Sequence, residues 1–300
     1  VTLDHAASDF TGEVKITGAD VAVTDVNGIV LGESTVSGTY GITASGTVTD
    51  EGTLLITGAT TISAIGQHVT LNEPANNFVG AVGITGANVA VTDVGAIVLG
   101  PSTVSGTYGI TAGDAITNTG TLDITGITTI SASGKNVSLN YASNDFKNEV
   151  RITGADVAIT DIGDIKLGAS TVSGTYAVTA GSSVTDEGTL LITGATTINA
   201  SGQNVTLDEA ASNFVGAVGI TGANVAVRDV GAIVLGPSTV SGTYTVTAAG
   251  TVTDIDVTGE LDIEGVTTIS ASGQHVTLDH AASDFTGEVK ITGADVAVTD

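Results

Sequence analysis

The sequence predicts an all-β chain, a parallel β-solenoid (β-helix) with about three coils per 68-residue repeat, drawn out into an elongated rod. Three observations predict it: a tandem repeat running the length of the chain, alternating apolar and polar residues in short segments, and glycine where those segments end.

The repeat is set by VTLDHAASDF at 1, VTLNEPANNF at 69, VSLNYASNDF at 137, VTLDEAASNF at 205 and VTLDHAASDF at 276. One continuous array over 1–300 is expected, with units 1–68, 69–136, 137–204 and 205–275, and the start of another at 276–300. The last full unit is longer by three residues, and the insertion falls in TDIDVTGELDIEG, where a turn is expected. Residues 1–25 and 276–300 are identical, which predicts an excerpt of a longer array or a processed protein.

Each unit subdivides. ITGADVAVTD from Ile16, ITASGTVTD from Ile42 and ISAIGQHVTLN from Ile62 share a pattern, and each step from one to the next is read as one coil of three strands and three turns. In EVKIT, Val14 and Ile16 point one way while Glu13, Lys15 and Thr17 point the other, and Val21 and Val23 continue the alternation. Gly18, Gly86, Gly154, Gly222 and Gly293, with Gly32, Gly100, Gly168 and Gly236, are read as turns needing unusual dihedrals. Buried aliphatics in one coil cannot offset the entropy of ordering it, so stacking must stabilise the array. Three coils would raise each unit by about 14 Å.

Composition agrees. Gly is 41 of 300, aromatics are 3%, and Trp, Met and Cys are absent, so the core must be built of Val, Ile, Leu and Ala in thin layers. A net charge of −25 repels nucleic acid and anionic membrane surfaces. Mean hydropathy is +0.38, yet Thr, Gly or Asp breaks each apolar run short of the ~20 residues of a spanning helix, so membrane insertion is not expected. A string of immunoglobulin-like sandwiches fits less well, since such domains usually need ~100 residues.

The stretch NNFVGAVGITGANVAVTDVGAIVLGPSTVSGTYGITA, followed by TLDITGITTISASG, resembles the repeat regions of large filamentous-haemagglutinin-like bacterial adhesins and β-strand-repeat surface proteins. That resemblance covers essentially the whole chain. It implies a right-handed parallel β-helix that is secreted or held at the cell surface, mediating adhesion or surface structure.

Candidate chemistry is sparse. Only seven basic residues occur, at Lys15, Lys135, Lys147, Arg151, Lys166, Arg228 and Lys290, scattered over the copies, so a polysaccharide-active β-helix enzyme is the remote reading and no catalytic residue is assigned. His5, His68, His275 and His280 are replaced in other copies by Asn, Glu or Tyr and read as surface turn residues. The aspartates are more regular: Asp25, Asp93, Asp161, Asp229 and Asp300 hold one position, and Asp50, Asp186 and Asp254 share another with Asn118. They are read first as turn formers binding their own backbone. If stacked on adjacent coils, they become calcium candidates; no other cofactor is expected. Phe10, Phe78, Phe146, Phe214 and Phe285, with Tyr40, Tyr108, Tyr176 and Tyr244, are read as corner packing rather than a sugar-binding row. Thr positions wander in phase and predict no coil-by-coil ladder of the ice-binding kind.

The units also alternate. Glu13 with Lys15 and Glu149 with Arg151 carry charge where Ala81 with Gly83 and Ala217 with Gly219 are bare, so charged and bare patches are expected to alternate along one face and seat a neighbouring rod. The function expected is a non-catalytic shaft of an extracellular or cell-surface filament. Its partners would be further copies, end to end or side by side, and host or matrix glycans. The alternative is an adhesive module that itself binds a glycan or calcium, which should show one copy departing from the pattern.

Overall fold

The computed structural model describes residues 1–255 and 260–300; every regular element there is a β-strand, and no helix occurs among the described residues. The chain divides into two units, Val1–Asn148 and Glu149–Asp300. The insertion expected at a turn in the last full repeat falls on 256–259, outside the described residues.

In the first unit one coil comprises Val21–Asp25, Ile29–Leu31 and Ser34–Val36, and the next comprises Tyr40–Ala44, Val48–Asp50 and Leu54–Ile56. Strands pair in parallel with the strand one coil on. One ladder runs Thr2, Ala22, Gly41, Thr61, Gly83. A second runs Val30, Thr49, Thr70, Ala90, Gly109, Thr129, and a third Thr17, Thr35, Leu55, Asn77. A coil is as short as the step from Val82 to Leu99 and as long as that from Val252 to Val276, most being about 20 residues. Ile16 does not stack beneath Ile42, as the pattern suggested. Val23 does, and Ile16 lies against Ser34, to whose Oγ its amide donates at 3.1 Å.

The parallel solenoid with about three coils per repeat is therefore present in each unit, with one refinement. The repeat 69–136 contains ten strands, from Val69–Leu71 to Thr128–Ser131, and three strands complete a coil. Each repeat thus makes three and a third turns, rising about 16 Å, and counterpart residues shift by one face. Thr2 lies on the first ladder above, and its counterpart Thr70 on the second. In the second unit Thr206 lies between Thr185 and Ala226, whereas its counterpart Thr277 lies between Thr253 and Ala297, on another ladder.

Alternation places the aliphatics inside. Leu31, Val36, Val48 and Leu54 have no exposed area, and burial of each such side chain contributes roughly 1.5–3 kcal/mol. Tyr40 lies over Thr60 in the core, as do Tyr108 over Thr128, Tyr176 over Thr196 and Tyr244 over Thr267. Burial pushes the Tyr40 phenol up to about 12, with the neighbouring Ser34 hydroxyl pulling the other way.

The glycines act differently from expectation. Left-handed backbone occurs only at Gly66, Gly134, Gly202 and Gly273 among the described residues, and not at Gly18, Gly32 or their counterparts. At many of the others the need is room. A Cβ on Gly58 would lie 2.2 Å from the Gly38 carbonyl oxygen of the preceding coil, and one on Gly80 would lie 2.3 Å from that of Gly58.

Gly58→Ala is expected to lower unfolding free energy by about 1–3 kcal/mol through this overpacking, whereas Gly12→Ala, with nothing within 4 Å, stays near neutral. Denaturant unfolding of the two variants tests the account, and equal effects would refute it.

Candidate functional site

The repeated aspartates form the regular polar feature of the solenoid. In Val21–Asp25 the alternation turns Asp25 inward at a corner, where it is 1% exposed. Its Oδ1 accepts from the Asn27 amide at 2.7 Å and its Oδ2 from the Phe10 amide, one coil back, at 2.8 Å. Asp93 repeats this with Gly95 and Phe78 (2.7 and 2.6 Å), and Asp229 with Gly231 and Phe214 (2.5 and 2.6 Å). Asp161 accepts from Gly163 at 2.6 Å and Asp300 from Phe285 at 2.9 Å. Asp25, Asp93 and Asp229 thus each close their own turn and staple the preceding coil.

These carboxylates do not stack on one another. The residue one coil on from Asp25, Asp93, Asp161 and Asp229 is Ala44, Ala112, Ala180 and Ala248 respectively, which removes the column of like charges that suggested calcium. Among the described residues no group of three or more His, Cys, Asp or Glu is arranged to hold a metal ion. Burial pushes the Asp93 and Asp229 carboxyls up from their ordinary value, against the opposing pull of the amide donors.

The second set reaches forward. Asp50 accepts from the Asn72 amide at 2.9 Å, the Glu73 amide at 3.3 Å and Asn76 Nδ2 at 2.6 Å. Asp186 accepts from the Asp208 and Glu209 amides, Asp254 from those of Asp279 and His280, and Asn118 donates to Asn144 Oδ1 at 2.8 Å. Burial pushes Asp186 up to about 6. Three further sets escaped sequence reading. Asn76, Asn144, Ser212 and Ser283 cap the amides of Leu54, Leu122, Leu190 and Leu261. Ser34, Ser102, Ser170 and Ser238 accept from Ile16, Ile84, Ile152 and Ile220 one coil back. Asp20, Asn88, Asp156 and Asn224 accept from the amides of Thr39, Thr107, Thr175 and Thr243. The available signal was a short polar side chain at the same place in every copy.

The aromatics are core: Phe78, Phe146, Phe214 and all four SGT-linked tyrosines are at most 1% exposed, which leaves no sugar-binding row of them. The histidines sit in exposed turns. His68 Nδ1 accepts from the Asn88 amide, His5 and His280 from amides two residues on, and His275 meets Asp295 at 2.9 Å. Threonine ladders, not expected from sequence, do form. Thr24, Thr43, Ser63, Thr85 and Thr103 succeed one another outward on consecutive coils.

The charged and bare patches do not share a face. Val14 pairs with Leu31 and Val82 with Leu99, which lie on separate ladders because the repeat is not a whole number of turns. Lys15 instead pairs with Glu13 at 2.6 Å across Gly32, where a Cβ would meet its Cγ at 2.6 Å. At Gly83 a Cβ would lie 2.8 Å from the Pro101 carbonyl oxygen, so this bare position packs against its own chain. Alternation is matched across coils instead. Leu55 in one copy is Asp123 in the next, Val79 becomes Lys147, and Lys147 pairs with Asp123 at 2.5 Å.

The model of a family described as Repeats of unknown function (DUF5649) matches residues 18–85, 86–153, 154–221 and 222–292. No curated protein and no solved structure matches the chain.

Acid is expected to stabilise this fold. The Asp186 carboxyl titrates at about 6 when folded against an ordinary 3.8, so its favourable contribution is complete below about 3.8 and lost as pH rises through about 6. Asp93 and Asp229 act in the same sense, whereas exposed Asp20 and Asp156, held below the ordinary value by Thr39 and Thr175, oppose it weakly. Thermal unfolding should therefore shift upward from pH 7 to about 4.5, and Asp186→Asn, which places there the residue found at Asn118, should shrink that shift. For the calcium candidates, whose oxygens already accept from amides, calcium and chelator should leave the melting midpoint unchanged. A calcium-dependent rise would restore them as ligands.

Proposed function

The chain belongs to that repeat family, and on this footing we propose that it is a non-catalytic segment of the shaft of an extracellular or cell-surface filament. The observation that carries the reading is the uniform coil. In each unit Val, Ile and Leu recur inward, while the outward positions hold mainly Thr, Ser, Ala and Gly, with short-range ion pairs and scattered aliphatics such as Leu55, Val79 and Leu191. A solenoid of this kind sets length by the number of coils and stiffness by continuous ladders, with each coil stabilised by its neighbours. The resemblance to filamentous-haemagglutinin-like repeats supports a place outside the cell, with further copies end to end or side by side, and host or matrix glycans, as partners.

Coil-to-coil stapling supports a mechanical role. Asp25, Asp93 and Asp229 tie their own turns to the coil before, and the aspartates at the Asp50 position tie theirs to the coil after. Axial load is thereby shared between the amide ladder and charge-assisted hydrogen bonds.

Cryo-electron microscopy of the native assembly tests this. A continuous filament with a rise near ~4.8 Å per coil is expected, and a beaded string of separate globules, or a dispersed soluble monomer, would overturn the shaft.

A further inference from the structure

Arg228 is the one departure from its position: Thr24, Thr92, Thr160 and Thr299 stand at the counterparts. It projects from Val225–Asp229 on the outer side and is exposed. It makes no ion pair or hydrogen bond among the described residues, whereas five of the other six basic residues, Lys15, Lys135, Lys147, Arg151 and Lys290, are paired with acids. Asp208, which follows the Leu207 partnered with Val227, is the acid closest in register. Yet Asp4 and Asp279 hold that place before Thr24 and Thr299, so the acid does not account for the arginine.

The surroundings form a groove of about 410 Å³, lined by Arg228, Thr247, Ser270 and Ser272 with Ala210 and Ala249, and by Asp229, whose two carboxylate oxygens are turned inward onto the Phe214 and Gly231 amides. Thr247 and Ser270 continue the Arg228 column on the next two coils, so three polar side chains stand in a line spanning roughly 10 Å. A guanidinium offers a planar fork for an oxyanion, hydroxyls donate to and accept from a sugar, and the alanines leave room for a ring face. A net charge of −25 opposes dense polyanions such as nucleic acid, which leaves sparsely charged chains.

We propose that the groove at Arg228 binds a carboxylate-bearing sugar of an acidic polysaccharide, with Arg228 holding the carboxylate and Thr247, Ser270 and Ser272 the adjoining hydroxyls. This goes beyond the shaft reading and does not depend on it.

The test follows the Arg228 Nε–Hε resonance by NMR in the 300-residue chain during titration with a trisaccharide of one galacturonic acid flanked by two neutral galactoses, a neutral galactose trisaccharide, and sodium sulfate at matched ionic strength. A saturable shift with the uronate alone is expected. Isothermal calorimetry should show the affinity about tenfold or more weaker in Arg228→Thr, a change compatible with the fold because Thr occupies every counterpart. Ser270→Ala should weaken it less. Equal response to sulfate, uronate affinity unchanged in Arg228→Thr, or an Nε signal displaced by Asp208→Asn without ligand, which would reveal a hidden ion pair, would each overturn the proposal.

Discussion

A buried parallel ladder must find an amide donor and a carbonyl acceptor at every step from one coil to the next, because an unpaired backbone group inside costs as much as a lost hydrogen bond. This constraint shapes the rest of the molecule. It holds the coil near 20 residues and forces the corner glycines against the preceding backbone, as at Gly38, Gly58 and Gly80. Where the chain turns and the ladder lapses, a side chain takes over. Ser34 accepts the Ile16 amide, Asp20 that of Thr39 and Asp25 that of Phe10. The aspartates are therefore structural in a definite sense: each replaces a missing carbonyl.

Because the repeat makes three and a third turns, identical residues do not line up. Counterparts such as Thr2 and Thr70 present themselves on different faces, so duplication of a residue does not build a row of it. Rows arise from different strands that meet by register, as Thr24, Thr43, Ser63 and Thr85 do. Likewise the alternating charged and bare positions cannot form one striped surface. Their matched partners lie on neighbouring coils, where Asp123 meets Lys147 and Leu55 stands diagonal to Val79. Such pairing makes successive junctions between repeats differ, a useful property in a chain whose near-identical units risk mispairing.

Against this regular background a single substitution acquires meaning. Arg228 lies in an outward column that Thr247 and Ser270 continue, and it forms no ion pair among the described residues. The identity of the residue was visible in the sequence, where it stood out only as a lapse in a motif. What surrounds it, Thr247 and Ser270, comes from residues roughly one and two coils along the chain, and that spacing varies too much for a motif to reveal.

The sequence by itself determined the fold class, the repeat and the inward set of Val, Ile and Leu, because period-2 alternation and a 68-residue recurrence are local properties of the chain. The aspartates could be recognised as turn formers for the same reason, since half of their bonding is to an amide two residues away. Only the tertiary structure decided which residues stack on which. A coil varies from the Val82–Leu99 step to the Val252–Val276 step, and the extra third of a turn follows from the packing of ten strands onto three faces. Register between coils is a long-range property. A shift of one residue there reverses every side chain, and no local pattern carries it.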